Sequence, residues 1–320
     1  MSTPASRSER QVDEQAVRLL SAAFDGTGAA VSFRSWTPVG ARKIRKRRFT
    51  MLVADGTPAL VCKTALDIDD AKVGAEATKL DTLDLPASLT RARVLSRHEG
   101  GFVMTYVPAL DLPDALAGRS QESFATLLGR AVELVAALHR HSRVDGDVTR
   151  RRAVAGQYVA EELLHRPELR AAVDVAVLAA THGDLAPWNV RHDPETDRLS
   201  LIDWEDYRHC GIAGIDIVNL LTTLGLVVFP EYRTRGLDWL YDQIFGGSHW
   251  YSRLVHDLIV RYATATGQAP GAVLDLLPFH CAWMTTRITA EGRDPSQLYY
   301  ATFLRRYVSQ PPGWFDASAA

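Results

Sequence analysis

Thr181-His182-Gly183-Asp184-Leu185-Ala186-Pro187-Trp188-Asn189-Val190, with Leu201-Ile202-Asp203-Trp204-Glu205 further on, is the stretch whose reading decides the fold. Between the halves stand Arg191-His192, Asp193-Pro194-Glu195-Thr196-Asp197 and Arg198-Leu199-Ser200. The Asp/Pro/Thr cluster favours a turn and its flanks favour strands, so the segment reads as strand, turn, strand. A hairpin centred near Thr196 sets Asn189 at its start opposite Asp203 at its end. An amide oxygen and a carboxylate then face one point, a hard-oxygen site suited to Mg2+. Asp184 precedes Asn189 by five residues, on the loop entering the hairpin, and reaches the same cleft.

This is the logic of phosphoryl transfer. A divalent cation holds phosphate oxygens while a separate Asp orients the attacking hydroxyl and accepts its proton. The spacing His-x-Asp-Leu-x-x-x-Asn matches the catalytic loop of protein kinases. A lone His-Gly-Asp carries little, because Asp after Gly commonly caps a turn or helix. Two acidic motifs flanking a hairpin carry much more. Together, His182-Gly183-Asp184 with Asn189 and Ile202-Asp203-Trp204-Glu205 resemble the aminoglycoside phosphotransferase and choline kinase group, kinase-like enzymes for small molecules. The resemblance implies Asp184 as catalytic base and Asn189 and Asp203 as metal ligands. His182 would brace the loop, and Asp216 in Gly214-Ile215-Asp216 would anchor it, where a plain helix N-cap is the alternative. The cofactors implied are ATP (or GTP) and Mg2+.

Outward from this segment the chain changes character. Residues 9–24 read as an amphipathic helix. Strands are expected at Val31–Thr37, Phe49–Ala54 and Ala59–Thr64, with Asp55-Gly56 as a hairpin turn. A helix over 70–83 follows, then strands at Arg93–Ser96 and Phe102–Tyr106. After Pro108 the pattern is helical: Phe124, Leu127, Leu128, Ala131, Val135 and Leu138 share one face. Further helices are expected near 154–164, 215–226, 235–245, 250–264, 271–289 and 296–307, interrupted by a β-rich island at 188–204. The expected architecture is α+β, a two-lobed protein-kinase-like fold. A small antiparallel β N-lobe (1–107) would hold nucleotide, and a larger helical C-lobe (108–320) would carry the catalytic hairpin and acceptor site.

A kinase N-lobe needs a lysine on its third strand paired with a carboxylate on the next helix. Only five lysines exist, 43, 46, 63, 72 and 79. Lys63 ends Leu60-Val61-Cys62-Lys63, and Glu76 is the one Glu of the following helix. The alternatives are an edge-strand lysine and a solvated glutamate. Phe102–Val107 resembles the strand and hinge whose backbone at Tyr106 and Val107 meets the adenine; a plain core strand fits too. The loop between the first two strands has Gly40 followed by Arg42, Lys43, Arg45, Lys46, Arg47 and Arg48. These cations either cover a triphosphate or form a solvated hairpin tip.

Composition narrows the class. A net charge of −2 gives no reason to expect nucleic acid or membrane as partner. Cys62, Cys210 and Cys281 lack metal-type spacing and fit a reducing, cytoplasmic setting. The apolar stretch 212–229 is broken by Asp216 and Asn219 and reads as a buried helix. A protein kinase is disfavoured: Gly183 replaces the usual Arg, and twelve residues between Asp203 and Asp216 are too few for an activation segment. His182, His192 and His209 give no zinc spacing, so a metal hydrolase is weakly supported. A pseudokinase is disfavoured because Lys63, Asp184, Asn189 and Asp203 are all present. The expected activity is transfer of the γ-phosphoryl group to a hydroxylated small molecule, an aminoglycoside or other antibiotic, or else a metabolic sugar, amino alcohol or nucleoside. Glu205 and Asp206, with Asp242, Glu291 and Asp294, are candidates for a cationic acceptor's pocket.

Overall fold

The computed structural model describes residues 7–38, 47–67 and 70–315; Gly40 and the basic positions 42–46 lie outside them. The chain divides into two compact units. One comprises Met1–Asp84, Thr90–Ala109 and Ser200–Asp206; the other comprises Leu85–Leu89, Leu110–Leu199 and Tyr207–Ala320.

The first unit contains α1 (Glu9–Ala23), β1 (Val31–Trp36), β2 (Arg47–Ala54), β3 (Thr57–Ala65), α2 (Ala71–Thr82), β4 (Val94–His98) and β5 (Gly101–Thr105). Its sheet is antiparallel, in the order β1-β2-β3-β5-β4. Asp55 and Gly56 both take positive φ, 49° and 81°, which gives the β2–β3 connection the twist of its strands. Val12, Ala16 and Leu20 recur every four residues on α1 and are buried; Ala16 and Leu20 pack with Leu52, Leu60, Cys62 and Val103 of the sheet. Asp70 caps α2 by accepting from Lys72 N at 3.1 Å. The helix then buries Val73, Glu76, Ala77 and Leu80. A bridge between Thr90 and Ser200 ties the 200–206 segment into this unit.

The second unit contains β6 (Leu110–Asp111), α3 (Leu112–Leu116), α4 (Gln121–His141), α5 (Val148–Ala155), α6 (Glu161–Leu164), α7 (Pro167–Val175), β7 (Leu178–Thr181), β8 (Val190–Asp193), β9 (Arg198–Leu201, its last two residues counted with the first unit), β10 (Arg208–Ile212) and α8 (Gly214–Val228). It continues with α9 (Tyr232–Arg235), α10 (Leu237–Phe245), α11 (Trp250–Thr266), α12 (Pro270–Leu274), α13 (Leu276–Ala290) and α14 (Tyr299–Ser309). Helix α8 is buried on every face from Gly214 to Gly225. That explains its apolar run, and among the described residues no helix is long and apolar enough to cross a membrane.

Several sequence expectations need correction. Residues 154–164 are not one helix: α5 ends at Ala155 and only the short α6 follows. Gly236, at φ 88°, separates α9 from α10 inside the expected 235–245 helix. The expected 271–289 helix is α12 and α13, with Asp275 between them. The 188–204 island is not the only β structure after Pro108, because β7 and β10 pair antiparallel. Asn189 closes a 3-10 turn, Pro187–Asn189, rather than opening a strand.

Candidate active site

In the first unit the site is built around Lys63. It sits on the central strand of the sheet, which disposes of the edge-lysine alternative. Its Nζ donates to Glu76 Oε2 at 2.5 Å and to Asp203 Oδ1 at 2.8 Å. Lys63 and Glu76 are each 2% exposed. Burial works against the lysine's charge, but Asp203 and Glu76 outweigh it and hold the ammonium above its ordinary range. Burial raises the Glu76 carboxyl, against the pull of Lys63. Asp203 adopts φ 65°, the left-handed region that Asp tolerates better than most residues and that often marks working sites.

Three carboxylates, Glu76, Asp203 and Glu205, offer oxygens within 4.8 Å of one another. Cations meet them. Arg47 Nη1 pairs with Glu205 and its Nε lies 3.3 Å from Asp70 Oδ2. Lys79 donates to the Glu205 carbonyl, and Lys72 Nζ lies 3.4 Å from Asp206 Oδ1. Glu205 and Asp206, read from sequence as acceptor contacts, are therefore joined to basic residues of their own unit. Arg47 and Arg48 are strand residues with internal partners, Arg48 pairing with Asp13 at 2.7 Å; they are not a solvated tip. The Tyr106 N–H donates to Ala59 O at 2.9 Å, extending the β3–β5 pairing, so it is spent within the sheet; Val107 follows half-buried.

In the second unit the site is the 182–189 loop. Gly183 turns it at φ 85°, a conformation that a side chain would strain. The N–H groups of His182 and Gly183 donate to Asp216 Oδ2 and Oδ1 at 2.8 and 3.0 Å. His139 Nε2 is 3.1 Å from Asp216 Oδ2, and its Nδ1 is 2.7 Å from Tyr262 Oη. Burial opposes ionisation of Asp216, yet His139, His182 and the Gly183 amide hold its carboxyl below the usual range. Asp216 thus uses both oxygens to fix the loop. The Asp184 N–H donates to His182 Nδ1 at 3.4 Å, and Asn189 Nδ2 donates to Asp184 O at 2.8 Å. With its amino group so used, Asn189 has its carbonyl oxygen as the donor for a cation. Trp188, 49% exposed, stands at the surface of this loop.

Sequence reasoning missed two participants, His139 and Arg287, whose Nη2 lies 3.2 Å from Asp184 Oδ2, and it named Arg47 without its carboxylate partners. Each meets its partner only through tertiary folding and none belongs to a motif. Trp283 and Tyr299 are buried, at 5% and 4% exposure, and Trp250 packs edge-on against Phe124, so these rings belong to the packing of the helical unit.

An antiparallel sheet unit with a buried lysine–carboxylate pair, together with a helical unit carrying an anchored His-Gly-Asp loop, defines a kinase-like α+β protein. The profile of the phosphotransferase enzyme family (APH) matches residues 71–247, more than half of the chain; the chain belongs to that family. Glu76, Asp184, Asn189, Asp203 and Asp216 lie inside the matched span, Lys63 and Arg287 outside it. Among solved structures, macrolide 2'-phosphotransferase type I is similar at 18% identity over 96% of this chain and 98% of that one, with a TM-score of 0.54. A choline/ethanolamine kinase family protein from Mesorhizobium loti is similar at 15% identity over 96% and 95%, with a TM-score of 0.50. These likenesses extend the kinase-like fold to nearly the whole chain. Comparison with curated protein sequences gives no match.

Proposed function

We propose that this phosphotransferase is a small-molecule kinase that moves the γ-phosphoryl group of ATP (or GTP) onto a hydroxyl of a small acceptor. The observation that carries the reading is Lys63, buried on the central strand and held between Glu76 and Asp203. A fixed ammonium on this strand is what positions nucleotide phosphates in a kinase lobe. Glu76 orients it, and Tyr106 and Val107 border the nucleotide base.

Asp184 is the base. The acceptor oxygen bonds to the γ-phosphorus as the bond from that phosphorus to the bridging oxygen breaks. The acceptor's proton passes to the Asp184 carboxylate, and the nucleoside diphosphate leaves. His182 and Asp216 hold the loop so that Asp184 meets the hydroxyl in one geometry. Asp203 and Asn189 each offer, within their own unit, a hard oxygen of the kind Mg2+ takes, and the ion would neutralise phosphate charge when bound. The fit rests on an Asn189 whose amino group is already used and an Asp203 fixed in a left-handed turn.

The acceptor reading shifts with the ion pairs. Glu205, Asp206, Asp242 and Glu291 each pair with a basic residue: Arg47, Lys72, Arg306 and Arg287. Asp294 caps Ser296 N. Four of these five carboxylates thus already face a cation, which weakens the case for a polycationic aminoglycoside and favours a neutral or singly charged hydroxyl compound, antibiotic or metabolite.

The test is Mg·ATP consumption across macrolides, aminoglycosides, sugars, nucleosides and amino alcohols, read as nucleoside diphosphate release and as phosphate added to acceptor mass. Transfer lost in Asp184→Ala supports the reading. Nucleotide binding with no transfer to any acceptor would move the protein to the pseudokinase class.

A further inference from the structure

Arg287 stands on the last turn of α13. It reaches across 103 residues of chain to Asp184, Nη2 to Oδ2 at 3.2 Å. Its side chain is 17% exposed and that of Asp184 30%, so the pair is sheltered from the screening that weakens surface bridges. The helix behind it is buried from Leu276 to Met284 and again at Ile288, which makes a firm mount. Glu291, one turn on, lies 3.5 Å from Arg287 Nε, and Arg293 lies 3.7 Å from the other Glu291 oxygen. On the far side, the Asp184 main chain is held at its N–H by His182 and at its carbonyl by Asn189.

We propose that Arg287 is a positioning residue for the transfer reaction, pinning the Asp184 carboxylate through Oδ2 and so setting its rotation before the acceptor arrives. The inference rests on the assignment of Asp184 as base. A carboxylate that rotates freely meets a hydroxyl in many orientations, whereas proton transfer needs one, at about 2.6–3.2 Å. A guanidinium's donors point in fixed directions, unlike the rotating ones of an ammonium, so with Nε turned to Glu291 its Nη2 holds Oδ2 of Asp184 from one side. Arg287 takes no proton itself, because its side chain stays charged; it acts through Asp184.

The experiment uses the full chain, Mg·ATP and the acceptor of the panel that gains phosphate. Arg287→Gln is expected to lower kcat about 10–100-fold, the scale of misplacing a catalytic group. KM for acceptor and for ATP should stay within about threefold, because binding is not what is lost. Arg287→Lys should recover part of kcat. Adding Arg287→Gln to Asp184→Ala should cost nothing more, since groups acting as a unit are not additive. Unchanged kcat in Arg287→Gln overturns the proposal. So does a raised acceptor KM at constant kcat, which would make Arg287 a binding cation, and so does a further loss in the double variant. If Arg287→Gln does not fold, Glu291→Gln, which loosens the brace and keeps the guanidinium, should lower kcat several-fold at unchanged KM; an unaffected kcat there overturns the proposal as well. The two readings fail separately. Asp184→Ala with full activity, or no transfer at all, removes the base and Arg287 with it. A dead Asp184→Ala beside a fully active Arg287→Gln removes only Arg287.

Discussion

Lys63 Nζ lies 2.5 Å from Glu76 Oε2, and both side chains are almost wholly out of water. Asp203 completes the set at 2.8 Å. One cation thus serves two carboxylates in a place where an unpaired charge is costly, and this makes the trio both a structural joint and the proposed nucleotide anchor.

The trio can be separated by substitution. Lys63→Met leaves Glu76 buried without its cation, and breaking such a pair typically costs about 3–5 kcal/mol. Adding Glu76→Gln removes the orphaned charge and should restore part of that stability, a coupling that urea denaturation of the four-variant cycle would measure. Binding of Mg·ATP should be lost in Lys63→Met and in the double variant alike, by calorimetry. Recovered stability together with recovered nucleotide affinity would mean that the lysine is a fold element only.

Asp216 makes a second prediction. It accepts from two backbone N–H groups and from His139. Asp216→Ala strands those donors in the interior, at about 1–3 kcal/mol for each unsatisfied group. It also frees the loop bearing Asp184. We expect a lower denaturation midpoint and a kcat reduced more than KM, with Asp216→Asn intermediate because its carbonyl still accepts. A variant with normal kcat at reduced stability would confine Asp216 to folding.

Gly183 tests the loop more gently. At φ 85° an Ala pays about 1–2 kcal/mol for the left-handed conformation. The loop either bears this strain or shifts, and a shift of Asp184 lowers kcat about tenfold or more. Steady-state kinetics beside a thermal melt separates the two: a lowered Tm with unchanged kcat means the turn held.

Legibility in the sequence followed the range of the interaction. The Asp55-Gly56 turn and the α1 stripe of Val12, Ala16 and Leu20 were readable because spacing along a strand or helix decides them, whereas Lys63 and Glu76 were picked out by the kinase pattern they resemble. The long-range ion pairs were not. Arg47 meets Glu205 across 158 residues and Arg287 meets Asp184 across 103, and no local pattern encodes such a meeting. His139 looks like any histidine near a helix C-terminus until Asp216 is found 3.1 Å away. The helix errors have local causes that apolar periodicity overrode: Gly236 with positive φ splits α9 from α10, and Pro270 starts a short helix that ends before α13. The acidic residues of the helical unit are a different case. Composition counts charges, but only the fold shows that Asp242 and Glu291 already have arginine partners.

His280 gives a prediction in pH. It is fully buried on α13, its ring edge-on to Trp283 and Tyr300, and burial pushes its imidazole down from 6.5 to about 3. As pH falls below 6.5 the unfolded chain takes up a proton at this position and the folded chain does not. The unfolded state is favoured, so the histidine's stabilising share is whole above about pH 6.5 and drains away toward pH 3. The slope is about 1.4 kcal/mol per pH unit at most. Asp216, with its carboxyl held low, loses its own share only below the ordinary carboxylate range; burial also holds His98 and His249 low and Glu76 high, so the share of His280 is the difference between wild type and a variant changed at that position alone. His280→Phe, similar in volume and without the titrating ring, should flatten the dependence of Tm on pH between about pH 5 and 7 relative to wild type. Parallel curves for the two proteins would show that water or a proton reaches His280 in the folded state, and that its burial does not control the acid limb.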